Sequence, residues 1–343
     1  MGQRERVEFD GSGPEAYARP MILVVGATGQ LGTTVVRRLA AAGQTVRAFA
    51  RPTSDTQLLR IPNVELAYGD LRNAASLDAA CAGADVIIAT ANTVAPRERY
   101  SWGRDEGDGY RNLIAAAEKH GVRQFIFMSV PVTPLDDAVP TFRYKRLIEG
   151  MLMQSKVPYT FVRGSLFMDD WFALMGSSIP LRGAEAATLH RPFWFSRAFV
   201  RASAHLIENN GIALVAGSGK TRHAFVTLDD VASFLVKSVG RPDARNATFE
   251  VGGPEVLSWD DVVALFGRVL GKRVRAIHAP AAVFRAQQLL LSPFSPAAAN
   301  LMGMNWLVGS TDTAYDMSAL APAFGITLTS SEQFLRDKLA LPA

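Results

Sequence analysis

The chain has 343 residues, enough for one large α/β domain or two domains sharing a core, and its 48% hydrophobic and 20% charged content is that of a globular rather than a disordered protein. Formal net charge is only +4 with the basic residues scattered, so the charged stripe that nucleic-acid binding needs is absent from the sequence. No apolar run reaches the roughly 18 residues of a membrane span, the N-terminus lacks the apolar core of a signal peptide, and the single cysteine, Cys81, fits a reducing compartment, so a cytoplasmic protein is expected.

Residues 1–20 mix Arg, Glu, Asp, Gly and Pro without a hydrophobic period and read as a flexible extension. The stretch Met21 to Gly32 then organises the rest of the chain. Five apolar residues run into Gly26, Gly29 and Gly32, and Leu31, Val35 and Leu39 repeat at helical spacing. That is a strand, a tight turn and a helix. Gly26 permits the sharp turn, Gly29 lets a phosphate approach the backbone, and Gly32 lets the helix pack close to the strand. The helix start, with Thr28, Gln30 and Leu31 around it, then presents amides to an anion, and the expected ligand is a dinucleotide pyrophosphate.

The second strand, Thr45–Ala50, ends at Arg51, and no acid lies between Thr45 and Ser54. An Asp or Glu there would bond the ribose of NAD, whereas an Arg accommodates the 2′-phosphate of NADP. NADP(H) is therefore the expected cofactor, with Arg51 as the main contact and Arg47 in support. Strand three, Val64–Tyr68, leads into Asp70 and Leu71, and strand four, Asp85–Ala89, leads into Thr90, Ala91 and Asn92. Both loops lie at carboxyl ends of strands and should border the cofactor. Asp70 could accept from an adenine amino group or cap the helix around Ala74 to Ala80.

A helix from about Asp105 to His120 should bury Tyr110, Leu113, Ile114 and Ala117, and strand five, Gln124–Ser129, brings Ser129 out at its end. Ser129 could bond a substrate carbonyl or cap the next turn. The segment Thr141 to Glu149 is helical in pattern, with Phe142 and Ile148 inward and Lys145 either functional or a surface residue paired with Glu149 one turn on. Strand six is Tyr159–Arg163. Six strands alternating with helices predict a doubly wound parallel sheet of Rossmann type over residues 21–164.

Residues 165–343 are expected to form a smaller, partly helical substrate lobe with segments returning to the main sheet, Leu214-Val215 and Thr248–Val251 among them. Phe167, Met168, Trp171, Phe172, Met175, Phe193, Trp194, Phe195 and Phe199 could line an apolar pocket or simply fill a core. Asp229 and Asp230 open a helix, Gly217 to Thr221 reads as a hairpin turn, and residues 329–341 read as a capped final helix. The segment 280–306 is apolar and interrupted by Pro293 and Pro296, which suits a lid, a subunit contact or a surface for a protein partner. No His or Cys spacing suggests a metal, and no Gly-x-Ser-x-Gly elbow occurs.

Taken together, Gly26-x-x-Gly29-x-x-Gly32, Arg51, Gly69-Asp70-Leu71, Ser129, Lys145, the segment 159–167, Val226 to Ala232 and Phe249 to Glu255 make the chain resemble the atypical short-chain dehydrogenases/reductases of the NmrA-like branch, from about Met21 to Leu270. That branch includes isoflavone-reductase-type and quinone-reductase-type members. The resemblance implies NADP(H), a small apolar substrate and a site around Ser129 and Lys145. It also exposes a departure: the wider superfamily carries Tyr-x-x-x-Lys, and here Thr141 stands four residues before Lys145. A threonine hydroxyl is far too weak an acid to replace the tyrosine, so the resemblance implies either that Lys145 handles the proton or that catalysis has been lost.

Overall fold

The computed structural model describes residues 20–93, 102–183 and 201–341. The expected N-terminal extension, apart from Pro20, lies outside the described residues, as do Phe193, Trp194, Phe195 and Phe199.

The six expected strands form as β1 (Met21–Val25), β2 (Thr45–Ala50), β3 (Val64–Tyr68), β4 (Val86–Ala89), β5 (Gln124–Ser129) and β6 (Tyr159–Gly164). Between them lie α1 (Gln30–Ala41), α2 (Ala74–Cys81), α3 (Gly109–Lys119) and α4 (Pro140–Gln154). The later strands are β7 (Ile212–Ala216), β8 (Arg222–His223), β9 (Ala247–Val251), β10 (Leu257–Ser258) and β11 (Arg275–Ala279). The later helices are α5 (Met168–Leu174), α6 (Leu228–Lys237), α7 (Trp259–Leu270), α8 (Ala281–Leu291), α9 (Pro296–Val308), α10 (Leu320–Ala323) and α11 (Ser331–Leu339).

Seven strands make one parallel sheet in the order β3-β2-β1-β4-β5-β6-β9. Both faces are covered, which is why β1 and β4 are apolar throughout. Ile22 and Val24 point to one face and pack with Val35 and Leu39 of α1 and Val231 and Leu235 of α6. Leu23 and Val25 point to the other and meet Leu113 of α3 and Ile148 and Leu152 of α4. Each fully buried aliphatic side chain contributes roughly 1.5–3 kcal/mol. The chain order reverses between β1 and β4, so the carboxyl ends of these strands flank the crevice where ligands bind in such sheets.

Several details differ from expectation. Thr248–Val251 does return to the main sheet, as part of β9 beside β6, but Leu214 and Val215 belong to β7, which pairs with β11 in a separate two-stranded sheet. Strand periodicity reveals a strand and not its partner. Residues 217–221 turn between β7 and β8, which are not paired with each other, so no hairpin forms. The helix expected from Asp105 begins at Gly109, preceded by a π-helical turn over Trp102–Asp108 in which Gly103 and Gly107 weaken regular helix. Thr227, not Asp229 or Asp230, caps α6, its hydroxyl accepting from the Asp230 amide. The final helix is capped as expected, by Ser330.

Of the aromatic stretch, Met168, Phe172 and Met175 serve as core. Phe172 packs against Phe225, Phe266 and Phe334 at ring separations of 5.1, 5.9 and 6.2 Å. The 280–306 segment folds as a helical hairpin, α8 and α9, broken where Pro293 and Pro296 forbid continuation. Cys81 is buried in α2, and burial pushes its thiol up to about 12, so it packs as a small apolar residue. Among the described residues no helix is long and apolar enough to cross a membrane, and no cluster of His, Cys, Asp or Glu could hold a metal ion.

Candidate active site

The glycine turn and the loop after β4 meet at the carboxyl end of the sheet. Gly26, at φ +90°, lies so close to that loop that a Cβ would sit 2.5 Å from the Ala91 amide nitrogen. A Cβ on Gly32 would sit 2.1 Å from the Gly26 carbonyl oxygen. Neither position admits a larger residue without backbone movement. Gly29 precedes α1 in extended conformation, offers no side chain of its own to cap the helix, and the first turn carries no acid. Leu31 packs inward, Thr33 donates to the Ala27 carbonyl at 3.0 Å, and Thr90 donates to the Val25 and Gly26 carbonyls. A helix start with glycine at its cap position lets a pyrophosphate approach the first amides, so the turn fits a dinucleotide.

Arg51 is exposed at the end of β2, and among the described residues no ion pair engages its guanidinium. Arg47 is committed elsewhere, to Glu65 and to the Ala80 and Ala82 carbonyls, and is not free to support it. Asp70 neither caps α2 nor presents an open carboxylate. Asn73 is the cap, and Arg72 binds Asp70 at 3.0 and 2.9 Å, holding its carboxyl below the usual range. Leu71 is half-buried and Asn92 exposed beside the crevice. The Ala91 carbonyl accepts from the Tyr110 hydroxyl at 2.7 Å, which fixes the loop.

Lys145 is not a surface lysine. It is only 2% exposed; its Nζ donates to the Met128 carbonyl at 2.9 Å and lies 4.5 Å from the centre of the Phe127 ring. Phe127 in turn packs edge-on against Tyr110 at 5.3 Å. Burial pulls the ammonium down to about 8, with the Glu106 carboxylate opposing that pull. Glu149 does not pair with Lys145. It is gripped by Arg163 at 3.0 and 2.7 Å and by Arg146 at 2.7 Å, while Arg146 also reaches Asp136 at 3.3 Å.

Ser129, fully buried, accepts from Arg146 at 3.2 Å, so its hydroxyl is held from the α4 side instead of capping a turn. Thr141 is equally engaged: its amide donates to Asn300 Oδ1 at 3.1 Å and its hydroxyl accepts from Asn300 Nδ2 at 2.7 Å. It ties α4 to α9, its hydroxyl held by the Asn300 amide.

Three participants were missed in the sequence: Glu106, the Arg146–Glu149–Arg163 cluster and Asn300. Asn300 had a signal, being, with Asn305, one of two amide side chains in an otherwise apolar helix. Glu106 had none, since it lies in an acidic stretch that reads as surface.

The sequence profile of the NmrA-like family matches residues 19–333. The chain belongs to the NmrA-like family. Among relatives of this NmrA-like protein, an NAD(P)H azoreductase of Xenophilus azovorans is 26% identical over 257 residues, covering 75% of this chain and 76% of the relative. The photosystem II assembly factor Ycf39 of a Synechocystis strain is 24% identical over 323 residues, 92% and 90% of the two chains. In fold, the chain is similar to an Escherichia coli NADPH-dependent quinone oxidoreductase complexed with NADPH, with a TM-score of 0.69 and 21% identity over 93% of this chain and all of that one.

Proposed function

We propose that this NmrA-like protein is an NADPH-dependent reductase acting on an apolar carbonyl, enone or quinone, with Lys145 handling the proton in place of the superfamily tyrosine and lysine pair. The observation that carries the reading is the buried Lys145 at the carboxyl end of β5, with its proton affinity drawn towards neutrality where a general acid operates. The α1 amides around Gly29, Gln30 and Leu31 would hold the pyrophosphate, Arg51 the 2′-phosphate, and Thr90 to Asn92 the edge of the crevice. The bound reduced nicotinamide supplies hydride. Lys145 gives a proton, directly or through a water, to the oxygen that gains negative charge, and is left as a neutral amine. Residues 165–343 would form the substrate lobe over this site, in a cytoplasmic protein. The likeness to an azoreductase and to a quinone oxidoreductase supports a conjugated acceptor.

A second reading is a non-catalytic NADP(H)-binding accessory or assembly protein. Two observations favour it: Thr141, in the tyrosine's place, is used to hold Asn300 of α9, and α8 and the turn after it expose Leu289, Leu290 and Phe294, the last by 81%, as a face for a partner or second copy. The likeness to Ycf39 points the same way. Absorbance at the nicotinamide band, on protein first shown to bind NADPH, separates the two. Oxidation of NADPH with any of a panel of quinones, enones, aldehydes and azo dyes supports the reductase; tight binding without turnover favours the accessory role.

A further inference from the structure

The segment after α9 returns to the carboxyl end of the main sheet and crosses the ends of β6 and β9. Thr313 fixes its start: the amide donates to the Arg222 carbonyl at 2.9 Å, the carbonyl accepts from the Ala224 amide at 2.8 Å, and the hydroxyl lies 3.3 Å from Ser165 Oγ, just beyond β6. Four residues on, Met317 Sδ accepts from the Gly252 amide at 3.2 Å, just beyond β9. Thr313 and Met317 are buried while Ala314 and Asp316 are exposed, so alternate side chains turn to the sheet, and Tyr315 is one of those. A Cβ on Gly252 would stand 3.4 Å from the Tyr315 Cβ. The ring is half-buried against the apolar cluster that holds Val251 and Met317, and among the described residues its hydroxyl has no hydrogen-bond partner.

The strands β5, β6 and β9 are consecutive in the sheet, with Ser129 opposite Arg163 and Arg163 opposite Glu250. At a spacing of about 4.8 Å, the end of β9 lies roughly 10 Å along the sheet edge from Ser129, a span that a quinone ring hydrogen-bonded at both ends fills. Burial, helped by the Glu250 carboxylate, pushes the Tyr315 phenol well above its usual range against the pull of Arg163 and Arg146. It therefore stays protonated and serves as a neutral donor, not as an acid that ionises.

We propose that Tyr315 is a substrate-binding residue: from the β9 side of the crevice its hydroxyl donates to an oxygen of the bound carbonyl or quinone, while Lys145 works from the β5 side. The inference rests on the reading of the site as that of a reductase. Lys145 supplies the proton, and Tyr315 supplies a fixed donor that holds the substrate and stabilises charge growing on its oxygen.

Tyr315→Phe keeps the ring and removes only the hydroxyl. With NADPH and whichever quinone, enone or aldehyde the wild type reduces, kcat/KM should fall about tenfold or more, while NADPH affinity and Tm stay at their wild-type values. An unchanged kcat/KM overturns the proposal. So does a loss matched by weaker NADPH binding or a lower Tm, which would mark the hydroxyl as structural. Should the wild type turn nothing over, the reductase reading falls, and binding tests the hydroxyl by itself. Dissociation constants of the same compounds for the NADP+-loaded protein, read by quenching of tryptophan fluorescence, should rise about threefold or more in Tyr315→Phe. Equal constants, or no binding by the wild type, overturn the proposal.

Discussion

Asn300 holds Thr141 at two points, accepting from its amide and donating to its hydroxyl, across 159 residues of chain. The helix face that carries the superfamily tyrosine is thus used here to dock α9 onto the first turn of α4. Gln288 adds a third polar tie, donating to the Ala138 carbonyl at 2.8 Å. Buried side-chain amides of α8 and α9 thus tie the hairpin to the first turn of α4 and to the turn before it.

Asn300→Ala should therefore destabilise the protein by about 1–3 kcal/mol, because it strands a buried amide and a hydroxyl. Thr141→Tyr should lower stability further instead of restoring an acid, since the larger ring must displace Asn300. Urea denaturation of both variants, followed by circular dichroism, checks the order; a Thr141→Tyr protein as stable as wild type would show that the clamp is dispensable.

Lys145 makes a two-sided prediction. A charged lysine held away from water costs stability below the pH at which the folded protein loses the proton, about 8, and the cost fades as pH rises towards the unfolded value of about 10.4. Between those limits the unfolded chain binds more protons, so wild-type stability rises with pH. Lys145→Met should be more stable than wild type at pH 7, by an amount on the order of 1–3 kcal/mol after loss of the Met128 hydrogen bond, with the advantage shrinking from pH 8 to 10. The same variant should lose NADPH-dependent turnover. Melting temperatures across that range decide the first point, and absorbance assays the second.

Arg51 bears on cofactor choice. Arg51→Ala should weaken NADPH binding about tenfold or more, the worth of a charge-assisted contact, and leave NADH almost unchanged. Equal losses for the two nucleotides in a fluorescence titration would move the 2′-phosphate away from β2.

The range of each interaction along the chain decides whether the sequence disclosed it or hid it. The strand, glycine turn and helix at 21–41 are written in residues a few positions apart, and so are the β-strand periods, which is why the sheet was legible. Lys145 could be located by its distance from β5, but not its burial against Phe127 and Met128, which depends on α4 lying over the sheet. Glu106, Arg163 and Asn300 act on α4 from elements 39, 14 and 159 residues away. No local pattern encodes such partners. Arg47 shows the converse error: its place near Arg51 in sequence suggested a shared phosphate, but strand alternation and the neighbouring Glu65 turn it to another task.

The last prediction concerns His223, which is fully buried beneath the second half of the chain. Its Nε2 lies 3.0 Å from the Val308 carbonyl, which can only accept, so Nε2 carries the proton and Nδ1 accepts from Thr313 at 2.7 Å. Thr313 in turn can accept from Ser165 at 3.3 Å, completing a chain of donors from the end of β6 to α9. Burial disfavours the charged ring more than the Val308 carbonyl and the Asp312 charge favour it, so its proton affinity falls to about 4. The unfolded histidine titrates near 6.5, so between about 4 and 6.5 the unfolded chain holds the extra proton and stability falls as pH is lowered. Full loss amounts to about 3 kcal/mol, at about 1.4 kcal/mol per tenfold change in proton affinity. His223→Gln should be less stable than wild type at pH 7.5 yet lose less on acidification to pH 4.5. Urea midpoints at the two pH values test this, and parallel losses in both proteins would place the acid sensitivity elsewhere.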